Sequence, residues 1–268
     1  MLSESMRQVV AVLKMSLLSV EMFDKRILQN LPFLISGWHV CCCILTYIIA
    51  VKKKHVYYMF PYISDTAAMS PETNIFAQCL NIGAGMMAVG LYIRYKQIDY
   101  DIKTKNITLN PLWNKISIIL GFMACLGVSV VGNFPELSVL SVHVLGAFMA
   151  FGIGILYFSF QTWISIFYLN SRYRNISKGL FYVRLFLVGS LMLLLISVFV
   201  FGSLSFQKFD GKSHLWWTED HGGYGFRLVS VFSEWLMYIF VFVYIATFRG
   251  EFGSIESGAI VLKFKQES

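Results

Sequence analysis

Any chemistry in this chain has to come from a few polar residues scattered through an apolar sequence. His143, His214, His221 and Glu234 could supply the three converging nitrogen or carboxylate ligands that a catalytic zinc ion requires. Their spacing forces no such convergence. The motifs that hold a nucleophile or a nucleotide in a fixed local geometry are missing: the chain has no G-x-S-x-G, no H-E-x-x-H, no P-loop and no dinucleotide-binding glycine run. The expectation is a non-enzymatic protein with no metal and no cofactor, an intramembrane hydrolase being the enzymatic alternative.

Position gives a second set of polar residues more meaning. Gln78, Asn81, His143 and Glu234 interrupt long apolar stretches, and polar groups at such depth are costly enough to mark functional positions. Each lies within the first two or three turns of an even-numbered stretch, roughly 5–10 Å in at 1.5 Å per residue. They predict a polar pocket opening toward the lumen or exterior, with Glu234 and His143 as partners. The competing reading is that they satisfy one another as glue between helices. His39 sits nearer mid-stretch and reads as a packed, hydrogen-bonded residue.

What must position these residues is a membrane bundle. Of 268 residues 57% are hydrophobic and 14% charged, with a mean hydropathy of +0.64; an ordinary soluble domain carries about 25% charged residues. Six stretches are long enough to cross roughly 30 Å of hydrocarbon: 31–51, 75–95, 113–132, 140–163, 180–202 and 228–248, the fourth able to continue through Phe167. The fold class is therefore all-α, a polytopic bundle of six transmembrane helices over residues 31–248. Residues 1–30 read as a cytosolic or interfacial N-terminal extension and 249–268 as a cytosolic tail.

Basic residues set the orientation. With a cytosolic N-terminus, sixteen of the 22 Lys and Arg fall on the cytosolic side, Arg94 and Arg184 among them. The six left over are Lys52, Lys53, Lys54, Lys208, Lys212 and Arg227, so both termini are expected in the cytosol. The net charge of +7 then marks cytosolic loops and contact with anionic lipid; no basic domain exists to bind nucleic acid. Two sequons, at Asn106 and Asn175, fall on the predicted cytosolic side, where they cannot be glycosylated. Gly146, Ala150 and Gly154 in the fourth stretch, with Gly121, Cys125 and Ser129 in the third, read as close bundle contacts. The Cys41–Cys42–Cys43 run lacks metal-site spacing.

The first non-cytosolic loop is the most structured in sequence. Pro61 and Pro71 stiffen it, and Ser64, Asp65 and Thr66 can cap local backbone near Tyr62. Pro71-Glu72 reads as a helix start, with an acid at the positive end of the dipole. The larger loop at 203–226 carries Trp216 and Trp217, expected at the membrane interface. Tyr95 with Ile98 and Tyr173 with Ile176 match the tyrosine-plus-apolar sorting pattern on the cytosolic side.

The segment Pro61-Tyr-Ile-Ser-Asp-Thr66, followed by Pro71-Glu72, resembles the hallmark of the DRAM family, the DNA-damage-regulated autophagy modulators. The likeness continues through Leu80-Asn81-Ile82, Tyr92-Ile-Arg-Tyr-Lys-Gln97, Gly127-Val-Ser-Val-Val-Gly-Asn-Phe134, His143-Val-Leu-Gly146 and Ser233-Glu-Trp235. This resemblance implies a six-span regulator of autophagy in lysosomal or late endosomal membranes. Its partners would be membrane lipids and membrane proteins of autophagy or lysosomal trafficking. The wider superfamily implies an alternative: a lipid-handling protein of GPI-anchor lipid remodelling or phosphoinositide regulation, in the Golgi or plasma membrane, using the luminal-side polar pocket. No active site comes with the resemblance.

Overall fold

Six helices are long and apolar enough to span a membrane. A computed structural model describes residues 20–21, 25–169, 176–255 and 259–260. The helices are α1 Lys25–Lys52, α2 Glu72–Lys103, α3 Pro111–Asn133, α4 Leu140–Leu169, α5 Lys178–Lys208 and α6 Tyr224–Ala246, with a short α7, Arg249–Phe252, after α6. A two-residue antiparallel pairing, Val20–Glu21 with Ala259–Ile260, joins the two ends of the described chain.

The helices outrun the apolar stretches because caps and turns, not hydropathy, end them. Asn110 accepts the Leu112 N–H (2.9 Å) with Pro111 behind it, and Ser177 accepts the Leu180 N–H (3.1 Å). The 32 residues of α2 run roughly 48 Å at 1.5 Å per residue, well beyond the hydrocarbon. The first helix begins at Lys25, so the end of the expected N-terminal extension is continuous with the first spanning helix. Residues 1–19 and 22–24 of that extension lie outside the described residues.

Each helix packs on its neighbour in sequence, and α6 returns to α1, closing a ring. Small residues and interhelical hydrogen bonds hold it. At Gly127 of α3, a Cβ would strike the backbone nitrogen of Ala150 and lie 2.7 Å from the Gly146 carbonyl, so only glycine lets α3 and α4 approach this closely. Ser197 and Ser233 bond across α5 and α6 (2.7 Å). The Ser36 hydroxyl of α1 donates to the Phe242 carbonyl of α6 (2.9 Å). Leu193 (70% exposed) and Phe186 (65%) of α5 point outward, as a lipid-facing surface requires.

The ring encloses a central cavity bordered by α1, α2, α3, α4 and α6; α5 stays outside it. At the cavity wall α4 widens into a π-helical turn, Phe148–Ile153, which carries Ala150 and Phe151. The loops 53–71, 134–139 and 209–223 gather at one end, here the loop face. The end bearing 104–110 and α7 is the opposite face.

Candidate functional site

The loop face is built around a buried contact between Asp65 and Arg227. Asp65 opens a 3-10 turn, Asp65–Ala67, and is 2% exposed. Its Oδ2 accepts the Tyr62 N–H (3.0 Å) and the Arg227 Nη2–H (2.7 Å). Arg227 occupies the first turn of α6, set by Gly223, whose φ of +75° and a would-be Cβ 2.5 Å from the Ser205 carbonyl admit no side chain. The guanidinium lies over the rings of Tyr62 (5.0 Å) and Trp217 (5.2 Å). Trp217 is thus buried, 1% exposed, and not at the membrane interface as expected; Trp216 remains exposed.

The third loop joins through Glu136, paired with His214 at 3.4 Å. Ligand atoms of Asp65, Glu136 and His214 all lie within 4.8 Å of one another, close enough to hold a metal ion. Their protonation fits a shared proton better. Burial and the adjacent Glu136 charge push the Asp65 carboxyl well above its usual range, against the pull of Arg227. Burial alone would raise Glu136 too, yet the His214 and Asp65 side chains beside it hold it down at about 2. Asp65 therefore acts as the acid and Glu136 as the carboxylate, a pair with one proton and one charge, facing Arg227 and His214.

The other predicted loop residues tie this cluster to the bundle. The Pro61 carbonyl accepts the Trp235 indole N–H (2.9 Å), and the Ile63 N–H donates to Glu234 Oε2 (2.8 Å). Thr66 donates to the Ile63 carbonyl (2.7 Å) and meets Thr46 of α1 at 3.3 Å. Pro71 holds the cap position of α2, and the fully buried Glu72 pairs with His55 (2.8 Å). Ile63 and Ser64 border the cavity, so this loop is its lid.

The four intramembrane polar residues separate into different environments. Glu234 and His143 both line the cavity, but they are not partners. Glu234 takes the Ile63 N–H, while His143 Nδ1–H donates to the Phe134 carbonyl (2.8 Å), tying α4 to the end of α3. Asn81 belongs to an α2–α3 seam, accepting from Ser129 (2.6 Å) and donating to Asn133 (3.0 Å). Gln78 faces outward and is exposed. His39 donates through Nδ1 to the Ile35 carbonyl (2.9 Å) and stacks on Phe242 (4.5 Å), its Nε2 lying against Gly83 without a hydrogen-bond partner.

Of the sorting patterns, Tyr95 and Ile98 lie within α2, and Ile98 is 0% exposed, so the folded chain presents no linear motif there. Tyr173 lies outside the described residues, and Ile176 is buried.

Sequence reasoning missed a buried polar network on the opposite face. Arg94 and Arg184, counted on the cytosolic side, are 2% and 0% exposed inside α2 and α5. Arg184 donates to Glu251 Oε1 (2.7 Å), Ser165 (2.9 Å) and Thr247 (2.9 Å). Arg94 donates to Gln97 (2.6 Å) and Gln161 (3.2 Å). Arg227, counted on the non-cytosolic side, is likewise buried at the start of α6. Arg94 Nη1 bonds the side chain three residues along its own helix, the i, i+3 spacing that was the only local signal.

Residues 28–255 match the family model described as the Frag1/DRAM/Sfk1/Cwh43P N-terminal domain. The chain is 33% identical over 234 residues to DNA damage-regulated autophagy modulator protein 2 of Homo sapiens, covering 85% of this chain and 86% of that protein. It is 32% identical over 225 residues to DNA damage-regulated autophagy modulator protein 1 of Homo sapiens, covering 84% and 90%. Modulator of macroautophagy TMEM150B of Danio rerio is 31% identical over 212 residues, covering 78% and 79%. No solved structure matches the chain.

Proposed function

Because the chain belongs to the Frag1/DRAM/Sfk1/Cwh43P family, we propose that it is a multi-span, non-enzymatic membrane regulator of autophagy. The carrying observation is that relatives matching most of its length are named as autophagy modulators. The compartment we assign is the lysosomal or late endosomal membrane, with both termini in the cytosol and the loop face in the lumen. An acidic lumen suits the Asp65–Glu136 pair, which needs one proton to stay closed. In this reading the loop face is where luminal conditions reach the bundle, and membrane proteins of autophagy or lysosomal trafficking are its partners.

The test is autophagic flux in cells lacking the chain, measured as autophagosome-marker turnover with and without a lysosomal protease inhibitor. Flux should fall, and return with the wild type and with Gln78→Ala but not with Asp65→Asn. Unchanged flux after complete loss of the protein would end the proposal. A second reading, lipid handling in GPI-anchor lipid remodelling or phosphoinositide regulation, is favoured by the central cavity reaching Glu234 and His143. Altered lipid composition with normal flux would replace the first reading by the second.

A further inference from the structure

The opposite face buries two guanidiniums, Arg94 and Arg184, and two carboxylates, Glu251 and Asp101, among the described residues. Arg94 and Arg184 share one carboxylate, Glu251. Arg184 is fully engaged, with all three nitrogens hydrogen-bonded. Arg94 is not: its Nη2 stands 4.0 Å from Glu251 Oε1 and has no hydrogen-bond partner. Asp101, seven residues on in α2, accepts instead from the Tyr168 hydroxyl (2.9 Å). A buried guanidinium with an unpaired nitrogen and only a shared counter-charge is costly.

The same Arg94 side chain borders the central cavity. From it the cavity passes Leu91, Tyr157 and Cys125 to Phe76 and Glu234 near the loop face. Phe76 to Arg94 is roughly 27 Å along α2 at 1.5 Å per residue. That exceeds the roughly 15 Å depth of one leaflet's hydrocarbon. Arg94 stands roughly 33 Å from the Glu72 end of the helix, the depth of lipid head groups on the opposite face. At the other end an anion would meet Glu234, so the two ends are not equivalent.

We infer that the central cavity binds one single-chain anionic amphiphile, its chain along the apolar wall and its carboxylate or phosphate head paired with Arg94. One guanidinium nitrogen without a hydrogen-bond partner calls for one head group. The inference needs neither cellular role described above, since binding is read on the isolated protein.

The experiment uses the full chain purified in non-ionic detergent, with radiolabelled palmitate, lysophosphatidate and, as an uncharged chain of the same length, hexadecanol. One saturable site per chain is expected for the two anions, the tighter of them identifying the head group as carboxylate or phosphate. Arg94→Gln should weaken both by about tenfold, the loss of one charge-assisted hydrogen bond, and Arg94→Lys should retain most of the binding. Gly154→Leu tests the chain site away from the charged network. Gly154 lines the cavity, and an added Cβ there meets only the Ala124 Cβ, at 3.7 Å. That variant should fold and lose both anions. Non-saturable uptake, hexadecanol bound as tightly as palmitate, or full binding by Gly154→Leu would each overturn the inference, even if Arg94→Gln failed to fold.

Discussion

Buried charge is handled differently at the two ends of the bundle. At the loop face the two buried acids of the clasp are both partnered: Asp65 accepts from Arg227 and Glu136 meets His214. Removing one member leaves the other stranded, so Arg227→Met should destabilise the protein by about 3–5 kcal/mol, read as a lowered thermal unfolding midpoint in detergent. Protonation of the acids adds a pH dependence of known sign. Asp65 is raised above its unfolded value of 3.8, so its contribution is full in acid and is lost as pH rises through the folded value. Glu136, held at about 2 against 4.5, contributes above 4.5 and loses that contribution as pH falls toward 2. The clasp should be tightest in mild acid. Amide exchange at Tyr62 and Ile63, corrected for intrinsic rates, should therefore speed up as pH rises out of mild acid. Asp65→Asn should flatten that response, and a flat response in the wild type would refute the shared proton.

Contact between helices is decided by single glycines, and they are not interchangeable. Gly127→Ala forces α3 off the α4 backbone and should cost about 1–3 kcal/mol. Gly189 of α5 has no atom near a would-be Cβ. There Gly189→Ala should be neutral or stabilising by up to about 1 kcal/mol from helix propensity. Equal effects in the two variants would mean that α3 and α4 do not meet as described. The placement of Ile98 carries a trafficking consequence: Tyr95→Ala should leave the chain's distribution among membranes unchanged in a cell-surface and organelle fractionation assay.

For the molecule as a whole, the open question of orientation has a direct readout. In the proposed topology Asn106 faces the cytosol, so it should carry no glycan in the native protein. A sequon engineered into 209–223 should acquire one, seen as an endoglycosidase-sensitive mobility shift. The reverse pattern would invert the topology and place the Asp65 clasp in the cytosol.

Hydropathy alone determined that this chain is a bundle of six membrane helices, because crossing lipid demands about twenty apolar residues each time and leaves few alternatives. The Pro61–Glu72 loop was legible too, since proline and capping side chains act on their immediate neighbours. Partnership was not. Glu234 and His143 share a depth but point at different backbone groups, because depth fixes height in the membrane and says nothing about rotation around the ring. Basic residues were legible only by side: for Arg94 and Arg184, near the ends of their helices, only packing decides whether the side chain meets water or a buried carboxylate. Glu136 drew no attention in a short loop, and acquires its role through Asp65, His214 and Arg227, which three separate chain segments bring to it.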